Sequence, residues 1–109
     1  MDRRFRDELT DRLFDAILLL ESREECYRFF EDIATVAEIK ALGQRLEVAR
    51  MLRLGATYDE IVEKTGVSTA TISRVKRCLY YGADGYAMIL DRMGIEENKE
   101  NNENNENNA

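Results

Sequence analysis

With 109 residues, a net charge of −6, no histidine and no proline, the chain has room for one small domain and lacks the commonest general base and metal ligand. No Ser/His or Cys/His arrangement and no glycine-rich phosphate loop is present, which argues against an enzyme, and Cys26 and Cys78 stand too far apart to form a metal-ligand cluster. The longest apolar run, Ala16 to Leu20, is far too short to span a bilayer, and free thiols without a signal peptide point to a reducing cytoplasm.

In chain order the pattern is helical throughout. Leu9, Leu13, Ala16, Ile17 and Leu20 recur at helical spacing and predict a first helix from about Arg3 to Leu20. That segment also carries Phe5, Phe14, Leu18 and Leu19, more apolar surface than one helix face holds. Such a surplus expects a partner, and a homodimer supplies one by two-fold symmetry. Ser22 with Glu25 forms a capping box for a second helix, whose apolar stripe is Cys26, Phe29, Phe30 and Ile33. Thr35 with Glu38 opens a third, with Ile39, Leu42, Leu46, Ala49 and Leu52 on its inner face and a stop at Gly55. Cys26 and Cys78 both fall on apolar faces and are expected as small buried hydrophobes.

The 22 residues from Tyr58 to Leu79, YDEIVEKTGVSTATISRVKRCL, follow the helix-turn-helix pattern. A short amphipathic helix ends at Thr65, Gly66 takes the turn, Val67 points inward, and a second helix starts at a hydroxyl N-cap, Ser68 or Thr69. The small Ala70 permits close approach, and Ile72 and Val75 pin this helix to the first. Its opposite face carries Thr69, Ser73, Lys76 and Arg77, with Arg74 on the flank and no acid. A helix of this kind can enter the major groove of double-stranded DNA. Gly82 and Gly85 bracket a break, after which Tyr86, Ile89, Leu90 and Met93 pattern a final helix closed by Gly94.

Residues 1–95 thus form the expected folded domain, and 96–109 an Asn/Glu-rich tail too polar to order itself. Five glutamates against one lysine in that tail leave the folded part near −2, so local charge on one face matters more than the total.

From Thr35 to Arg74 the chain resembles the tryptophan repressor superfamily, and in particular the small Trp-repressor-related proteins of the YerC/YecD type. The resemblance rests on Ala41, Leu42, Gly43 and Arg45, then Gly55 and Gly66, then Ala70, Thr71, Ile72 and Arg74, with one residue fewer between the two later glycines. It implies an all-α, six-helix fold with a helix-turn-helix, built as an intertwined homodimer whose early helices interlock. It also implies an effector pocket in which Arg45 and Arg74 sandwich a planar ligand while Thr35 and Thr71 hold its polar end.

Two positions depart: Val75 replaces the glycine against which an indole packs, and Cys78 replaces a serine. Overpacking by an isopropyl group costs about 1–3 kcal/mol, so the expectation is no tryptophan binding and either a smaller effector or none. The pocket residues also have local explanations: capping for Thr35, back-bonding for Thr71, and ion pairing of Arg45 with Glu38, Glu47 or Asp59.

The resemblance places Thr69, Ala70 and Ser73 against base edges, next to the N-cap Ser68, while Arg74, Lys76 and Arg77 suit phosphates. The expected function is a homodimeric DNA-binding regulator, a repressor by occlusion, without a cofactor. The alternative is a helix-turn-helix module that docks another protein. Asp59, Glu60 and Glu63 stand near where the tryptophan repressor carries basic phosphate contacts, a departure that bears on binding strength and not on the motif.

Overall fold

The computed structural model describes residues 6–98. The expected helix start at Arg3, with Phe5, and residues 99–109 of the tail lie outside that range. Six helices and no strand are found among the described residues: α1 (Glu8–Ile17), α2 (Arg23–Ile33), α3 (Val36–Arg53), α4 (Tyr58–Thr65), α5 (Thr69–Tyr81) and α6 (Gly85–Arg92). The chain divides between Lys40 and Ala41 into two compact units.

In the first unit α1 is shorter than its apolar pattern suggests. Arg6 and Asp7 precede it, and Asp7 caps it by accepting the Thr10 N–H at 2.8 Å, a bond that also lowers the Asp7 carboxyl pKa. At the other end Leu19 and Leu20 bond back three residues, to Ala16 and Ile17, so the helix tightens into a turn after Ile17. In α2 the Ser22 hydroxyl accepts the Glu25 N–H at 3.1 Å. The Glu25 carboxylate accepts from Glu21, one residue before the N-cap, rather than closing the expected box on Ser22. Thr35 and Glu38 do form the reciprocal pair at the start of α3, at 2.9 and 3.1 Å.

No residue of α1 or α2 is buried, and Leu9 and Leu18 are 76% and 80% exposed. Cys26, expected in a core, is exposed, as is Ile33, while Phe29 and Phe30 of the same stripe are half-buried. Arg23, Cys26, Tyr27, Phe30 and Ile39 line an open trough of about 330 Å³. The apolar faces are present as the sequence predicts, but the single chain does not cover them.

The second unit holds the core. Val48, Ala49 and Leu52 of α3 pack with Ile61 of α4, Ile72, Val75 and Leu79 of α5, and Leu90 of α6, while Leu46, Tyr58, Val67 and Tyr86 close its rim. The buried face of α3 is shorter than expected, because Leu42 is mostly exposed. Ile89 of α6 and its C-cap Met93 also face outward, leaving Leu90 as its buried anchor. Cys78 is exposed too, since it points to the flank of α5 beside Arg74 rather than to the Val75 face. Arg53 ties the ends of α3 and α6 together, donating to Asp91 at 2.6 Å and to the Ile95 carbonyl at 3.2 Å.

Gly66 ends α4 at φ +75°, in the left-handed region, with open space where a Cβ would stand. The need for glycine is therefore conformational rather than steric. Gly66→Ala is expected to cost about 1–2 kcal/mol, read as a lower urea midpoint at unchanged slope.

Candidate nucleic-acid interface

The helix-turn-helix is fixed by local hydrogen bonds that its sequence specifies. At the start of α4 the Thr57 hydroxyl accepts the Glu60 N–H and the Glu60 carboxylate accepts the Thr57 N–H, at 3.2 and 2.8 Å. This backbone bond, followed by the hydroxyl, holds the Glu60 carboxyl below its ordinary pKa. In the turn, Thr65 donates its hydroxyl to the Ile61 carbonyl and accepts the Val67 N–H. Val67 is thereby directed onto the core, as its apolar character predicts.

Ser68, one of the two expected caps, is the N-cap of α5. Its hydroxyl accepts the Thr71 N–H at 3.1 Å and donates to the Thr71 hydroxyl at 3.1 Å. Arg74 in turn donates to the Thr71 hydroxyl at 3.3 Å. Thr71 is thus taken up by a chain of hydroxyls at the helix start and not by back-bonding.

With Ile72, Val75 and Leu79 turned into the core, the other side of α5 is presented outward. Ser68, Thr69, Ala70, Ser73, Arg74 and Arg77 are exposed and Lys76 is half-buried. No acid lies between Thr69 and Tyr81. On α4, Asp59, Glu60 and Glu63 are exposed.

Three tyrosines join this face, none of them anticipated from the sequence. Ser73, Lys76 and Arg77 share a groove of about 580 Å³ with Tyr80 and Tyr81, and the Tyr81 side chain is 88% exposed. Helical spacing from Arg77 could have found this pair. Tyr58 reaches across from α4: its hydroxyl lies 3.3 Å from that of Ser73, and Lys76 Nζ sits 5.8 Å from its ring centroid. This contact joins two helices and has no signature in local spacing.

A second concavity, about 370 Å³, is lined by Arg45, Thr71, Arg74, Val75, Cys78 and Tyr86. It brings together three of the four expected pocket residues and both departures. Thr35 belongs to the other unit, where its hydroxyl is engaged in capping. Arg45 makes no ion pair with Glu38, Glu47 or Asp59; Glu47 pairs instead with Arg50 at 3.1 Å. Burial first, and the neighbouring Cys78 second, raise the Tyr86 phenol pKa against the opposing pull of Arg45, so it stays a neutral hydrogen-bonding group. Val75 is only 4% exposed and forms part of the core as well as the pocket wall. With two guanidiniums and no carboxylate, the lining suits an anion.

Among the described residues no helix is long and apolar enough to cross a membrane, and no cluster of His, Cys, Asp or Glu could hold a metal ion.

Residues 8–94 match the family model of the Trp repressor protein. The uncharacterized protein YerC of Bacillus subtilis (strain 168) is 61% identical over 90 residues, which cover 83% of this chain and 86% of YerC. The crystal structure of a candidate Trp repressor from Staphylococcus aureus superposes with a TM-score of 0.83 at 57% identity, covering 90% of this chain and 99% of that one. A TrpR-like protein from Eubacterium eligens ATCC 27750 gives 0.84 at 51% identity, covering 88% and 99%.

Proposed function

The chain belongs to the Trp repressor protein family, and we propose that it is a cytoplasmic, homodimeric transcriptional regulator that binds double-stranded DNA sequence-specifically and represses by occlusion. The observation that carries this reading is the outward face of α5. Small polar residues at its N-terminal end give way to Lys76 and Arg77, without an acid, on a helix held rigidly by the core. Thr69, Ala70 and Ser73 suit base edges, and Lys76 and Arg77 supply phosphate contacts. The uncovered apolar faces of α1 and α2 support the homodimer, which would present two such helices to successive major grooves.

The test is retention of genomic DNA fragments on purified protein at near-physiological salt. Enrichment of a few paired half-sites about one helical turn apart would support the reading. Uniform, weak, salt-labile retention, both alone and with small anionic effectors added, would overturn it. It would then favour a module that docks another protein, a second reading supported by exposed Asp59, Glu60 and Glu63 on α4.

The pocket between Arg45 and Arg74 is proposed to take a small anionic effector or none, because the Val75 side chain occupies the space a flat indole needs. Val75→Gly is expected to create tryptophan binding. The chain has no Trp, so the fluorescence of added tryptophan reports directly. Absence of any change at millimolar tryptophan, with far-UV circular dichroism retained, would count against the pocket.

A further inference from the structure

Tyr58 touches two residues of the α5 face through two different groups. Its phenol oxygen lies 3.3 Å from Ser73 Oγ, and its ring lies under Lys76 Nζ at 5.8 Å. The ring itself is anchored, since Tyr58 is half-buried against the core and follows the Thr57–Glu60 capping box directly. A fixed aromatic platform is therefore delivered to two side chains that would otherwise rotate freely on an exposed helix.

The hydroxyl pair also has a preferred direction. A phenol is far more acidic than an aliphatic alcohol, so it is the better donor and the poorer acceptor. Either hydroxyl could donate across this contact; the phenol is the stronger donor, and with Tyr58 as donor and Ser73 as acceptor the Ser73 proton is left free for a second partner. A serine fixed in this way presents a donor, and it discriminates in favour of an acceptor opposite it, such as purine N7, guanine O6 or thymine O4 in the major groove. A serine free to rotate would present either polarity and discriminate little. Lys76, held over the ring, is half-buried, whereas its neighbour Arg77 is exposed. The Lys76 ammonium is thus drawn toward the ring before any phosphate arrives.

We propose that Tyr58 is a positioning residue for DNA recognition, making Ser73 an outward hydrogen-bond donor for a base-edge acceptor and pre-placing Lys76 for a phosphate. The proposal rests on the DNA-binding reading above and names a specificity determinant within it.

The test measures the affinity of full-length protein for two duplexes, the genomic fragment retained most strongly and a scrambled duplex of equal composition. Tyr58→Phe keeps the ring and removes the donor. It is expected to reduce discrimination between the duplexes about three- to tenfold while leaving affinity for the scrambled one unchanged. In a Ser73→Ala background it should do nothing further. Tyr58→Leu removes the platform and is expected to weaken both duplexes about two- to fivefold beyond the Phe variant, an increment that disappears in a Lys76→Met background.

A Tyr58 that merely fills space would give losses that add in full to those of Ser73→Ala and Lys76→Met. That additivity, or unchanged discrimination by Tyr58→Phe, overturns the proposal while leaving the DNA-binding reading intact. Failure of the wild-type protein to distinguish the duplexes overturns both. Should Tyr58→Leu fail to fold, Tyr58→Phe with its Ser73→Ala cycle decides the matter alone.

Discussion

Leu13→Asp or Ile17→Asp is expected to abolish folding together with dimerisation, seen as loss of far-UV circular dichroism and of the dimer in sedimentation. In the single chain α1 and α2 contain no buried residue, and Leu13 and Ile17 are only partly covered. Their apolar faces gain about 1.5–3 kcal/mol per fully buried aliphatic side chain only when a second surface covers them. An aspartate at either position removes that gain and adds the cost of desolvating a charge. If the early helices of two chains interlock, folding and association are one event, and the wild-type melting temperature should rise with protein concentration. A stable, folded monomer from either variant would contradict the interlocked dimer.

Neutralising the cations of α5 is the second change with a large expected effect. Replacing Arg74, Lys76 and Arg77 by glutamine together should lower DNA affinity by at least about a hundredfold at near-physiological salt. It should also flatten the dependence of log affinity on log salt by about four, since the two phosphate-contacting charges, Lys76 and Arg77, are lost from each of two protomers at about 0.9 per contact. None of the three belongs to the core, so the secondary structure and melting temperature should hold. An unchanged affinity and slope would remove the DNA-binding reading and leave the protein-docking one. The salt slope matters more than the affinity here, because only the loss of phosphate contacts moves it in this way.

What was legible in the sequence follows from the range of the interactions. The caps at Ser22, Thr35 and Ser68 and the left-handed turn at Gly66 obey rules that operate over a few residues, and all stand where the sequence places them. The buried set of Ile72, Val75 and Leu79 follows from helical period alone. The family resemblance supplied the rest of the fold. Other expectations failed for a different reason. Cys26, Leu42, Ile89 and Met93 lie on apolar stripes, but a stripe shows only that a face is apolar, not that this chain supplies its cover, and Cys78 lies on the flank of its stripe. Two features were invisible in principle to local reading. The Arg45, Thr71 and Tyr86 pocket and the Tyr58–Ser73 contact join residues brought close only by the packing of separate helices. The bridge by Glu25 to Glu21 instead of Ser22 shows that even a local rule can slip by one position when a long side chain has two N–H groups in reach.

The charge layout of α4 and α5 has a kinetic consequence. Asp59, Glu60 and Glu63 are exposed on one helix, while Lys76 and Arg77 occupy the next, on a chain whose total is −6. In the field of a polyanion such a layout experiences a torque as well as a force: α5 is drawn inward while the acidic surface is pushed away. If the protein binds DNA as proposed, collisions that present the acidic residues would be repelled before contact, and few encounters would be spent on unproductive, loosely held states. A uniformly basic protein would bind faster but would accumulate in those states along every stretch of duplex. On that reading the acidic excess would act as an orientation filter on the search, trading rate of encounter for the quality of each one.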